Sequence, residues 1–317
     1  MSFTSRTSFV IASLAATALL VTGCSAAESE PEATTKAAAE VTVTHAQGET
    51  TVPVNPERVL TFDIAALTDL DALGVDVYGV PKANLPGDLE KFNTDEYTNI
   101  GTLFEPDYEA VNAAAPDLII VAGRSAAVYP ELSAIAPTID LSNNPADFRD
   151  SVVANAEILG EIFDKQDEVA DMVSDLDASV ADVNERAADA GTGLIVMTNA
   201  GEISAYGPGS RFGFLHDTLG LAPAVEDVEA ATHGEAVSFE FLLETNPDWM
   251  FVVDRDAATT GGSANAEAVL DNTLVDETNA AKNDQIVYVD SVDWYIVNGG
   301  LSNLQDITDE VEAALSK

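Results

Sequence analysis

The chain has 317 residues, 46% hydrophobic and 21% charged, and sets 13 lysines and arginines against 55 aspartates and glutamates for a formal charge of −42. This is a globular composition long enough for two domains with cores of their own, and its charge makes nucleic acid and anionic lipid surfaces poor partners. An anion site in such a chain has to be assembled locally, so each arginine away from a helix surface stands out.

At the N-terminus Arg6 precedes a compact apolar stretch from Phe9 to Val21, the length of a signal-peptide core and too short to span a bilayer. It runs through Val21-Thr22-Gly23 into Cys24, the only cysteine of the chain, which has no partner for an internal disulfide. The pattern resembles a bacterial lipobox. Residues 1–23 are expected to be a signal peptide and Cys24 the lipidated first residue of the mature protein. Residues 24–40 are Ala, Glu, Ser, Thr and Pro with almost no large apolar side chain, a flexible tether. The protein is therefore expected to be exported and held by lipid on the outer face of a bacterial cell membrane.

From Val41 onward, short β-branched runs alternate with amphipathic stretches, the pattern of an α/β protein. Val59–Phe62, Leu118–Val121, Leu194–Met197, Met250–Val253 and Ile286–Val289 read as buried strands. Ala65–Leu73 and Phe212–Leu219 read as helices closed by Gly74 and Gly220. Between Asp147 and Ala190 the strand signal vanishes, while Val169, Met172, Val173, Leu176, Val180 and Val183 share one helix face. Asp164 and Asp167 suit the N-terminal turn of that helix, which spans about 36 Å if it runs from Lys165 to Ala188. The chain then divides into an N-terminal lobe (41–146), a connecting helical segment (147–190) and a C-terminal lobe (191–317).

The lobes carry an internal repeat. Glu109 stands seven residues before Pro116-Asp117, a buried strand follows, and Arg124 lies seven after the Asp. Glu240, Pro247-Asp248 and Arg255 repeat this spacing. Each copy places an arginine just past the carboxyl end of a strand, where open α/β sheets bind ligands. Two facing lobes would bring Arg124 and Arg255 into one cleft. Arg211 follows Gly207-Pro208-Gly209-Ser210 and is expected to open the Phe212 helix, with backbone N–H groups beside it. Three guanidiniums suit an oxygen-rich anion, whereas Arg58, Arg149 and Arg186 read as turn or helix-surface charges. His233 and Tyr295, each before a glycine-containing loop, are structural residues or, together, an imidazole and a phenolate for a hard ferric ion. His45 reads as a strand or turn residue and His216 as part of the Arg211 helix. No nucleophile elbow, P-loop or HExxH is present, so an enzyme is not expected.

The segment from Gly101-Thr102-Leu103-Phe104-Glu105-Pro106-Asp107-Tyr108-Glu109 through Pro116-Asp117 to Arg124 resembles the N-lobe signature of periplasmic-type binding proteins for iron siderophores and cobalamin. Gly207–Gly220 and Thr232–Arg255 are similar to the branch for catecholate siderophores, including petrobactin and enterobactin fragments, and the likeness covers residues 41–316. It implies two Rossmann-like α/β lobes joined by one long backbone helix, and a monomer with no intrinsic cofactor that hands a ferric siderophore to the permease dimer of an ABC transporter. In this resemblance Arg124, Arg211 and Arg255 hold the anionic iron catecholate. His233 and Tyr295 complete the metal's coordination when the chelator offers four donors, and Glu109 and Glu240 dock on the permease. Haem, cobalamin and a surface hydrolase stay open as alternatives.

Overall fold

The computed structural model describes residues 39–82, 85, 87–226, 228, 234–260 and 265–316; Cys24, most of the tether and His233 lie outside these. An antiparallel hairpin of β1 (Glu40–His45) and β2 (Gly48–Pro53) precedes the first lobe. There β3 (Val59–Thr61), β4 (Gly79–Val80), β5 (Thr98–Asn99), β6 (Leu118–Val121) and β7 (Thr138–Asp140) form a parallel sheet in the order β5-β4-β3-β6-β7. The second lobe contains β8 (Thr192–Asn199), β9 (Glu202–Tyr206), β10 (Ala222–Pro223), β11 (Glu235–Ala236), β12 (Trp249–Asp254) and β13 (Ile286–Tyr288). Its path runs β11-β9-β8-β12-β13, parallel at β8-β12-β13 and antiparallel at the β9 and β11 edge. Every residue of β6 and β12 is buried. Continuous apolar runs of this kind are what a parallel sheet covered on both faces demands.

The repeat in the sequence is a repeat in space. The helices Tyr108–Ala114 and Phe239–Thr245 are both seven residues long, and both end in a left-handed residue, Ala115 or Asn246, before Pro-Asp. The two aspartates then do the same work. Asp117 accepts the Arg58 N–H at 2.9 Å and Asp248 the Thr192 N–H at 2.9 Å, each fixing the start of the neighbouring strand.

One expected helix and one expected helix start differ from the sequence reading. The segment opened by Arg211 is a series of turns with a helix only at Phe214–Asp217, because the Asp217 carboxylate folds back to accept the Gly209 N–H at 2.7 Å. The connection between lobes is two helices, Phe148–Phe163 and Gln166–Ala187, broken where Asp164 turns left-handed. Asp164 thus ends the first helix instead of beginning the second, and its carboxylate accepts from Asn55 Nδ2 at 2.6 Å. The second helix, 22 residues and about 33 Å long, buries Val169, Leu176 and Val183 as its periodicity predicts. The terminal helix Leu301–Leu315 packs along it, with Gln305 Nε2 on Ser179 Oγ at 2.9 Å and Arg186 on Glu312 at 3.0 Å. One apolar core runs through Leu67, Leu118, Leu176, Phe251 and Leu304, so the lobes share their interior.

His45 locks the N-terminal hairpin to β7. Its Nδ1 accepts the N–H groups of Gln47 and Asp140, both at 3.2 Å, which puts the ring proton on Nε2, 2.8 Å from Thr50 Oγ1. Burial lowers its pKa, with Asp140 opposing. A second ring proton would face two N–H donors. The native state thus holds fewer protons than the unfolded chain, so the stability from neutral His45 is full above its ordinary value near 6.5 and is lost as pH falls through the lower folded value. Thermal unfolding should show Tm declining below pH 6.5. The slope should lessen in His45→Asn, whose Oδ1 replaces Nδ1 as acceptor; an unchanged slope would remove His45 as its cause.

Candidate functional site

Both sheets put their central strand ends at the junction of the lobes. In the first, the chain leaves β3 for one side and returns at β6 for the other, and Arg124 lies in the short 3-10 helix just past β6 at this switch point. In the second, Arg255 follows β12 directly, and Asn199 closes the adjacent β8. Arg211 arrives from the turns after Gly209.

All three arginines converge on Tyr295. This residue belongs to a π-helical segment, Val292–Val297, closed by the left-handed Asn298, whose N–H reaches back to the Asp293 carbonyl at 2.9 Å. The end of any helix leaves carbonyls without intrahelical donors, and here guanidiniums supply them. Arg124 donates to the carbonyls of Tyr295 at 2.8 Å and Ile296 at 2.9 Å, and Arg211 donates to the Tyr295 carbonyl at 2.9 Å. Arg255 Nε donates to the Tyr295 hydroxyl at 2.7 Å, while its Nη1 is held by Asn199 Oδ1 at 2.7 Å. The Tyr295 ring is in cation–π contact with two guanidiniums, 4.6 Å from that of Arg211 and 5.5 Å from that of Arg255.

The ion pairs among the described residues engage Arg58, Arg149 and Arg186 with Asp117, Asp150, Asp177 and Glu312, and none engages Arg124, Arg211 or Arg255. In a chain of charge −42 three guanidiniums therefore meet on neutral oxygens. Burial, reinforced by the like charge of Arg124, pulls the Arg211 pKa down, and its Nε is buried with no hydrogen-bond partner. Such a donor is costly unless a ligand satisfies it. Asp63, which caps the helix Ile64–Ala72, feels the charge of Arg124. Burial pushes its carboxyl up to about 6 against the Ala66 N–H and the Arg124 charge.

The π-helical segment is anchored from behind. Trp294 Nε1 donates to Glu310 Oε2 at 2.8 Å, and the Trp294 ring stacks on Phe251 with 6.3 Å between centroids. The fold thus brings together Arg124, Arg211, Arg255 and Tyr295 as the sequence leads one to expect. Glu109 and Glu240 lie elsewhere, both exposed in the first turn of the two repeat helices. Asn199 and Asp63 went unread, since a polar residue after a strand has no sequence signature of its own. His45 and His216 are structural, the latter buried with Nδ1 2.7 Å from the Leu221 carbonyl.

The periplasmic binding protein family model matches residues 59–292. The chain is 41% identical to the petrobactin-binding protein YclQ of Bacillus subtilis over 95% of this chain and 96% of that one. The crystal structure of that protein superimposes with a TM-score of 0.85, covering 88% of this chain and 99% of the other. The ferric-anguibactin-binding protein FatB of Vibrio anguillarum is 32% identical over 98% of both chains. The catecholate-siderophore binding protein VctP of Vibrio cholerae gives a TM-score of 0.83 at 32% identity, covering 87% of this chain and all of its own.

Proposed function

We propose, from the premise that this chain belongs to the periplasmic binding protein family of substrate-binding transport proteins, that it captures a ferric siderophore outside the cell and delivers it to the permease of an ABC importer. The observation that carries the reading is the meeting of three guanidiniums, none ion-paired with a carboxylate among the described residues, at the strand ends of both lobes. Catecholates chelate iron through anionic oxygens, and a fork of guanidinium donors matches such a surface better than a neutral ligand. Arg124, Arg211 and Arg255 hold the complex in this reading, and Tyr295, with His233, completes the iron's coordination when the siderophore supplies four donors. Glu109 and Glu240 dock on the permease, and Cys24 carries the lipid that keeps the receptor at the membrane. The protein acts as a carrier with no catalysis of its own. Relatives named for petrobactin and catecholate siderophores support this choice of ligand.

Trp294, next to Tyr295 in the chain, is a built-in reporter. Titration with ferric complexes of a bis-catecholate, a tris-catecholate and a hydroxamate, and with haem, should quench tryptophan emission tightly with the catecholates alone. Tight binding of haem alone would overturn the ligand assignment. Tyr295→Phe should shift the charge-transfer absorption of the four-donor complex and leave a six-donor complex unaltered; identical spectra in both would remove Tyr295 from the iron.

A further inference from the structure

The two repeat helices that carry Glu109 and Glu240 are alike in backbone and unlike in surface. Five residues before Glu109 stands Phe104, 65% exposed, and immediately before it Tyr108, 38% exposed. The matching positions of the second copy are Glu235, in the edge strand β11 paired to β9, and Phe239, half-buried against the core of its lobe. A lone exposed phenylalanine is ordinary. This one is held out by a built loop.

Gly101 and Pro106 pair across the loop's base, and Thr102 N donates to the Glu105 carbonyl at 3.0 Å. Thr102 Oγ1 accepts the N–H groups of Phe104 at 3.2 Å and Glu105 at 2.9 Å. Gly101 sits at φ +106, where a Cβ would lie 2.5 Å from the Glu105 carbonyl oxygen, so the loop can close this tightly only on glycine. The next residue, Asp107, caps the helix through the N–H groups of Glu109 and Ala110. The ring is thus presented without a flexible stem. Carboxylates flank the two aromatics in the chain: Glu105 next to Phe104 and Glu109 next to Tyr108 are both exposed, and the Tyr108 phenol, pushed up by burial, feels Glu131 as well.

Resting on the docking role proposed for Glu109 and Glu240, we propose that Phe104 and Tyr108 are an aromatic anchor that enters an apolar socket bordered by arginine or lysine on the membrane permease, and that the C-terminal lobe docks by charge alone. A preordered aromatic in a rim of complementary charge is the form that interface hot spots take. The acidic rim favours a basic protein socket over a bilayer surface. The two sockets of the partner then differ, and the receptor seats in one orientation.

Uptake of radioactive iron supplied as a bis-catecholate complex tests this in the bacterium that makes the protein, with full-length variants as its only copy. Phe104→Ser should cut uptake at least fivefold while the purified protein keeps its ligand affinity and Tm. Phe104→Leu should retain most of the uptake, and Glu235→Ser should have little effect. A photo-crosslinking residue at position 104 should capture the epitope-tagged permease. Normal uptake in Phe104→Ser with impaired uptake in Glu109→Ala would overturn the anchor and leave the glutamate docking intact. Normal uptake in both would bring down the docking reading too. Crosslinks to lipid alone would assign the aromatics to the bilayer and overturn the socket.

Discussion

Replacing Arg211 with methionine is expected to weaken binding of a ferric bis-catecholate by roughly tenfold to a hundredfold while leaving the free protein as stable as before or more so. The loss follows from one charge-assisted hydrogen bond, worth about 1.5 to 3 kcal/mol. Unchanged stability follows from what Arg211 endures in the free state. It is a mostly buried cation whose pKa is pulled down by burial and by Arg124, and its Nε has no partner. Methionine keeps much of the contact with Phe212, whose ring lies 4.9 Å from the guanidinium, and removes the unmet charge. The single bond given up in the free protein is that to the Tyr295 carbonyl. Fluorescence titration paired with calorimetry separates the two effects. A fall in Tm with unaltered affinity would show that Arg211 is a structural cap of the π-helical segment and no ligand group. Equal losses for an anionic catecholate and a neutral hydroxamate complex would count against recognition by charge.

The second large effect concerns Asp69. Its buried carboxylate accepts the N–H groups of Leu301 and Ser302 at 2.9 Å and the Ser302 hydroxyl at 3.0 Å, so it caps a helix that begins 232 residues later. Gly300 allows the approach: at φ +96, a Cβ there would lie 2.9 Å from the Ala65 carbonyl and 3.3 Å from Asp69 Oδ1. Asp69→Ala leaves buried donors unmet and should cost about 3 kcal/mol. For a body of this size that is a fall in Tm of roughly 6 to 12 °C. Asp69→Asn should cost far less. Burial raises the Asp69 pKa against those same N–H groups, so the native state binds the proton more tightly than the unfolded chain. The stability this contributes is full below the ordinary value of 3.8 and is lost as pH rises through the folded value. An amide keeps an acceptor and carries no charge to desolvate. Equal losses for Ala and Asn would mean that the charge, and not the acceptor, holds the terminal helix.

Read from the chain alone, the repeat of Glu, Pro-Asp, buried strand and Arg determined much of this protein. A run such as Leu118–Val121 has no solvated face, so it specifies a covered parallel strand wherever it occurs. An arginine seven residues after each Pro-Asp is then carried past a strand end by the backbone itself. That is why Arg124 and Arg255 were legible as a pair, and why the periodicity of Val169, Leu176 and Val183 marked the connecting helix. Local chemistry misled where a distant group decided the outcome. The helix expected after Arg211 shrank because Asp217 turns back to Gly209, and Asp164, read as the start of the connecting rod, meets Asn55 and ends the helix before it. Neither Asp69 nor Asn199 carries a mark in the sequence. Each is defined by a partner far away in sequence, 232 residues for Asp69 and Leu301 and 56 for Asn199 and Arg255. Periodicity and turn chemistry act over a few residues and encode which face is apolar. Only the packed tertiary structure decides which buried polar group meets which, and so where three arginines find one tyrosine.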